Sequence, residues 1–244
     1  MRPEIAVVMG AVAVVLLSML VYRLTPQGRG LDDQTGRGGS FFLGFWVRNW
    51  FYWFIRPVTR VSLALGLSPF FYNLIAVGFG VASLVFYARG QLPLAGWMIL
   101  LSGLADVMDG EVARGRGMAS EAGAFLDSTL DRFSEFAAFI GLAIFFESGL
   151  PVVAVLIAFG GSLMVSYTRA RGESLGVLCK LGLMQRAERM LLLGLGSIFD
   201  PALSSVFGRP TGFILQILVC IIAVGTVATA IFRTMWIARR LSAK

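Results

Sequence analysis

The chain has 244 residues, of which 57% are hydrophobic and only 14% charged, and its mean hydropathy is +0.79. Soluble domains carry about 25% charged residues, so a globule of this size could not be coated with polar groups; a cytosolic globule, a disordered chain and a nucleic-acid-binding module are excluded. The net charge of +7 then reports membrane orientation and anionic headgroups rather than a polyanion partner. Histidine is absent, which leaves proton transfer and metal binding to carboxylates without help from imidazole. Cys179 and Cys220 form no disulfide or zinc pattern.

A membrane-crossing helix needs about 20 mostly apolar residues. Hydropathy predicts seven, over residues 5–22, 69–88, 92–109, 125–146, 150–168, 189–207 and 212–232, the sixth interrupted by Asp200-Pro201. Residues 1–24 read as an uncleaved anchor, because no small-x-small cleavage site follows the apolar run and Tyr22-Arg23 closes it. Residues 25–40, rich in Gly, Arg and Asp, read as a flexible loop. Residues 41–60 hold Phe41, Phe42, Phe45, Trp46, Trp50, Phe51, Tyr52, Trp53 and Phe54, with Arg48, Tyr52, Arg56 and Arg60 spaced by four. That spacing stacks the polar tips on one helix face and leaves the rings to lipid, as in an interfacial helix or an aromatic belt at a span end. If the first helix starts outside, the outer loops hold Arg2, Arg89 and Arg209, while nearly all other Lys and Arg fall inside. This bias orients a multi-pass protein of the inner or plasma membrane. The fold class is therefore all-α, a polytopic membrane helix bundle.

The loop between the third and fourth spans, on the cytoplasmic side, carries the chemistry. Asp106 and Asp109 are three apart, and Asp127 and Asp131 four apart, so each pair shares one face of its own helix. A loop of about a dozen residues would let the two helices run antiparallel and bring the four carboxylates together. Such a cluster at the edge of the hydrocarbon needs compensation, since unpaired buried charge is costly and like charges repel. One solution is a hard divalent cation, or two; without His or thiolate, Mg2+ or Mn2+ is favoured over zinc. Paired cations of this kind suit phosphoryl chemistry. Intramembrane aspartates also suit an ion or proton pathway, and that alternative stays open on the residues alone.

The full spacing, D-x2-D-G-x2-A-R-x8-G-x3-D-x3-D from Asp106 to Asp131, resembles the signature of the CDP-alcohol phosphotransferases, with every fixed position present. The resemblance covers roughly residues 40–241. It implies a core of six spans preceded by an interfacial helix, giving a transferase domain over 41–244 with the interfacial helix at 41–60 and the spans within 69–232. The helix at 5–22 is an addition to that core. The resemblance also implies the reaction: a hydroxyl attacks the β-phosphorus of a CDP-linked alcohol, releasing CMP. By the motif, Asp106, Asp109 and Asp127 would hold metal, and Asp131 would be the general base while also touching a metal. Gly110, Ala113 and Gly123 would leave space for the nucleotide. Arg114 would hold pyrophosphate charge or pair with a motif carboxylate. Asn73 stands nearest to the Pro-Asn that the family carries at the first core span. A homodimer is implied by resemblance only.

After the fifth span come Ser166, Arg169, Arg171, Lys180, Arg186 and Arg189, five of them cations. An acceptor bearing its own phosphate would gain charge-assisted hydrogen bonds there. The run S-Y-x-R-A-R followed by G-L-x-x-R-x-E-R resembles the phosphatidylinositol phosphate synthases of bacteria and their archaeal counterparts. Carry-over by position implies Arg169, Arg186 and Arg233 as ligands of the acceptor phosphate, with Ser166 and Arg171 nearby. Ala187 replaces the usual proline of that pattern. The expectation is transfer of a phosphatidyl group from CDP-diacylglycerol, or a related CDP-lipid, to a phosphorylated polyol such as inositol 1-phosphate. Glycerol 3-phosphate is the alternative acceptor, although Asp127-Ser-Thr-Leu-Asp131-Arg132 departs from the D-P-x-A-D-K of that branch.

Overall fold

Each predicted apolar run lies in a helix. The computed structural model describes residues 3–26, 44–179 and 181–243, so most of the loop at 25–40, together with Phe41, Phe42 and Lys180, lies outside the described residues. The helices are α1 (Pro3–Leu24), α2 (Gly44–Ala64), α3 (Pro69–Ala88), α4 (Leu92–Gly115), α5 (Glu121–Phe146), α6 (Leu150–Ser174), α7 (Arg186–Val206) and α8 (Phe213–Ser242). No strand occurs among the described residues. By length and composition, α3, α4, α6 and α8 can each cross a membrane, and residues 13–24 of α1 form a shorter apolar stretch. The chain divides into two units, Met1–Leu67 and Ser68–Lys244.

In the first unit α1 and α2 pack through aromatic side chains. Tyr22, almost fully buried, sits between Trp46 and Trp53, with ring centroids 5.6 and 5.5 Å away. The Trp50 indole N–H donates to Ser18 Oγ at 3.2 Å. These three tryptophans thus pack against α1, with Trp46 and Trp53 keeping part of their surface exposed, while Phe45 and Phe54 point outward; the expectation that the rings of this segment face lipid is corrected for the tryptophan face. A ring covering an apolar neighbour satisfies the hydrophobic effect as well as lipid does, and its N–H gains an acceptor.

In the second unit α3 packs on α4 and α5, α4 on α7, α7 on α8, α8 on α6, and α6 on α5. Lipid offers helices little hydrophobic gain for associating, so close packing of small residues and a few polar contacts do the work. A Cβ on Gly80 of α3 would lie 2.7 Å from Ser134 Cα of α5, so these two backbones nearly touch. The Ser102 hydroxyl on α4 donates to the Ala76 carbonyl on α3 at 2.9 Å, and the hydroxyls of Tyr87 and Ser197 share a hydrogen bond of 2.5 Å. Leu92, Ile99, Phe139, Leu142, Leu193, Leu215 and Ile222 fill the core between them.

Several helices outrun the apolar stretches that predict them. α4 continues to Gly115 and α5 starts at Glu121, so a turn of five residues, 116–120, replaces the expected loop of about a dozen. Gly117, at φ +65°, makes the reversal, and Ser120 caps α5 by accepting the Gly123 N–H at 3.1 Å. Arg169 and Arg171 stand on the end of α6, and Arg186 and Arg189 on the start of α7. Asp200-Pro201 does not break α7. Asp200 is fully buried and accepts the Gly212 N–H at 2.6 Å and the Leu215 N–H at 2.8 Å. Its carboxylate therefore satisfies donors that the start of α8 would otherwise leave unpaired.

Candidate active site

The end of α4 and the beginning of α5 place the four aspartates. Carboxylate oxygens of Asp106, Asp109 and Asp127 lie within 4.8 Å of one another. Asp131 joins them through Arg186, whose Nη1 is 2.7 Å from Asp106 Oδ1 and 2.5 Å from Asp131 Oδ2. Asp109 and Asp131 are buried, while Asp106 and Asp127 are partly exposed. Asp109 Oδ2 and Asp127 Oδ1 are sealed from solvent with no hydrogen-bond donor among the described residues. Buried oxygens of that kind are rare in proteins. Their presence in an all-carboxylate cluster fits a hard divalent cation, which takes oxygen ligands.

Other predicted residues surround the cluster. Gly110 and Ala113 lie on the last turns of α4, and Gly123 on the first turn of α5. A side chain at Gly110 would meet the Arg114 guanidinium, and at Gly123 only Ser120 Oγ. Arg114 pairs with Glu111 at 2.7 Å and not with a motif aspartate. Asn73 is buried on α3. Since Ser102 meets Ala76 and α3 and α4 run antiparallel, Asn73 stands one turn further along, level with Asp106.

The residues expected to hold the acceptor phosphate separate into two groups. Arg186 touches the aspartates directly. Arg233 is buried, its Nε donating to the Leu181 carbonyl at 2.6 Å and its Nη1 to the Val165 carbonyl at 2.9 Å. It ties the 175–185 connection and α6 to α8. Arg169 Nε pairs with Glu173 at 2.9 Å, Ser166 Oγ donates to the Ser162 carbonyl at 3.1 Å, and Arg171 is exposed.

Glu135 is a part of this region that sequence reasoning passed over. It is 1% exposed, as is Arg189. Arg189 Nε donates to Glu135 Oε1 at 2.8 Å, and Nη1 donates to the Met184 carbonyl at 3.1 Å. Arg132 Nη1 takes Glu135 Oε2 at 2.9 Å. This pair clamps α5 to the start of α7 and so sets where Arg186 meets Asp131. The available signal was position: Glu135 lies one turn beyond Asp131 on a helix otherwise apolar from there onward.

Residues 58–238 match the family model for CDP-alcohol phosphatidyltransferases. A phosphatidylinositol phosphate synthase of Streptomyces avermitilis is 35% identical over 209 residues, covering 82% of this chain and 84% of that protein. An archaetidylinositol phosphate synthase of Methanothermobacter thermautotrophicus is 38% identical over 148 residues, 59% of this chain and 75% of its own length. Crystal structures of the Mycobacterium tuberculosis phosphatidylinositol phosphate synthase superpose with a TM-score of 0.65 at 30% identity, covering 74% of this chain. One has CDP-DAG bound, with 92% of that chain covered, and another contains manganese and citrate, with 87% covered.

Removing one member of a buried ion pair strands the other, at a cost of about 3–5 kcal/mol, whereas replacing both with apolar residues is often close to neutral. Glu135→Leu and Arg189→Leu are each expected to lower the thermal unfolding temperature in detergent more than the double variant does. Additive losses in the double variant would show that the two do not act as a pair.

Proposed function

The chain belongs to the CDP-alcohol phosphatidyltransferase family, and from that premise we propose that it transfers the phosphatidyl group of CDP-diacylglycerol to the hydroxyl of inositol 1-phosphate, giving phosphatidylinositol phosphate and CMP. It is an integral membrane enzyme, and family membership sets aside the reading of the aspartates as an ion pathway. The observation that carries the reaction is the approach of Asp106, Asp109 and Asp127 to within 4.8 Å, with Asp131 joined to Asp106 by Arg186. The donor and acceptor follow the relatives, phosphatidylinositol and archaetidylinositol phosphate synthases, and the CDP-DAG complex of the mycobacterial neighbour.

In this reading Asp106, Asp109, Asp127 and Asp131 hold Mg2+ or Mn2+, two ions by the family pattern. When bound, the ions neutralise charge on the pyrophosphate and the departing CMP. Asp131 takes the proton of the acceptor hydroxyl as its oxygen bonds to the β-phosphorus, and the bond from that phosphorus to the CMP oxygen breaks. Gly110, Ala113 and Gly123 admit the nucleotide beside the carboxylates, with Asn73 and Arg114 at its edges. Arg186, already at the cluster, is the residue best placed to hold the acceptor phosphate near Asp131. Arg169, Arg171 and Arg233, with Ser166, supply the positive surroundings at the ends of α6 and α8. The arginine asymmetry supports a site facing the cytoplasm, with α1 as an anchor and α2 as an interfacial helix; a homodimer as the assembly rests on the family resemblance alone.

The reading is tested by CMP release from CDP-diacylglycerol in the presence of Mg2+ and a panel of acceptors. Inositol 1-phosphate should give turnover and labelled lipid; turnover with glycerol 3-phosphate or serine in its place would reject the acceptor. Loss of a general base typically costs about 10²–10⁴-fold in rate, so Asp131→Asn should fall by that much in kcat while still binding CDP-lipid, as read by equilibrium binding. Unchanged kcat would take the proton away from Asp131. Hydrogen bonds to charged groups contribute about 1.5–3 kcal/mol, so Arg186→Ala should raise KM for inositol phosphate by about tenfold or more and leave KM for the donor nearly unchanged. Equal effects on the two would move Arg186 out of the acceptor pocket.

A further inference from the structure

Within the first unit α1 and α2 enclose a groove of about 530 Å³, lined by Leu17, Val21, Trp53, Phe54, Arg56 and Arg60 among others. One side is apolar. Leu17 is 62% exposed, Val21 44% and Phe54 40%, although Tyr22, Trp46 and Trp53 pack tightly beside them. The groove has a built wall, because the Trp50 indole is fixed on Ser18. Its other side carries two arginines one helical turn apart. Both are exposed, and among the described residues neither has an ion-pair partner and no carboxylate lines the groove. Cβ atoms four apart on a helix stand about 5–6 Å from each other, so two long side chains starting there can bring their guanidinium groups to one phosphate.

We propose that this groove is a binding site for an anionic phospholipid of the surrounding bilayer, such as phosphatidylglycerol. An acyl chain lies along Leu17, Val21 and Trp53, and the headgroup phosphate lies between Arg56 and Arg60. Charge selects the occupant. A second apolar helix would cover the leucine and valine but leave both cations unanswered, and a zwitterionic lipid would bring its own positive group to them. The family match begins at residue 58, so α1 and most of α2, with Trp53, Phe54 and Arg56, lie outside it, while Arg60 lies within it.

The full-length protein is reconstituted in bilayers containing increasing fractions of phosphatidylglycerol or phosphatidylcholine with brominated acyl chains. The fluorescence quenching that depends on Trp53 is obtained by difference from a Trp53→Phe variant. A basic residue near an anionic headgroup favours it by a modest electrostatic amount, and with two of them half-maximal quenching should require a mole fraction of phosphatidylglycerol about tenfold lower than of phosphatidylcholine. The preference should vanish in R56Q/R60Q, and Leu17→Phe, which narrows the groove without changing charge, should weaken quenching by both lipids. Equal mole fractions for the two lipids, or a preference that survives R56Q/R60Q, would overturn the proposal. So would the absence of Trp53-dependent quenching by either lipid, which would mean that polypeptide fills the groove.

Discussion

Carboxylates at the end of a helix bundle repel one another unless positive charge lies among them, and the second unit is arranged around that constraint. Arg186 supplies one part of the compensation by reaching Asp106 and Asp131 together. It can do so only because α7 begins at the right height and rotation beside α5. Glu135 and Arg189 fix that placement from below, where neither is exposed to water. In such a setting an ion pair contributes less to stability than to defining a single arrangement of helices, a role attested for buried polar groups in some proteins. The aspartate end is therefore held by charge, while the body of the bundle is held by shape.

Shape, in this bundle, means short distances between backbones. Gly80 against Ser134 brings α3 and α5 together near the aspartates. The Ser102 hydroxyl on the Ala76 carbonyl does the same for α3 and α4. Because α4 carries Asp106 and Asp109 and α5 carries Asp127 and Asp131, α3 acts as the common neighbour that aligns the two motif helices. Few direct contacts link α4 to α5 apart from their short turn. Their carboxylates meet because each helix is registered on α3.

The sequence made the site more legible than the helix boundaries around it. Spacings of three and four residues put each aspartate pair on one helix face, and a short connection between antiparallel helices was enough to join the pairs; Asp106, Asp109 and Asp127 do approach one another. The ends of α4, α6 and α8 were underestimated because hydropathy reports which residues lipid can solvate. Backbone hydrogen bonding continues past that limit into Arg114, Arg171 and Arg240. Asp200 read as an interruption because its role depends on N–H groups twelve and fifteen residues onward. Glu135 escaped notice for a similar reason, its partner being 54 residues away. The inward-facing tryptophans of α2 depended on α1, which periodicity within α2 could not reveal.

The capping of α8 by Asp200 has a consequence for how this chain tolerates changes of length. From Gly212 to Arg233 the helix climbs about 32 Å, close to the thickness of the hydrocarbon layer. A residue inserted in the 207–211 turn leaves both helices in register, since the turn can bulge outward. A residue inserted between the cap and Arg233 rotates everything beyond it by about 100°, carrying that guanidinium away from the Leu181 and Val165 carbonyls it now holds. Drift in chain length should therefore collect in the 207–211 turn, while the stretch leading from Asp200's clasp to the arginine keeps a strict residue count.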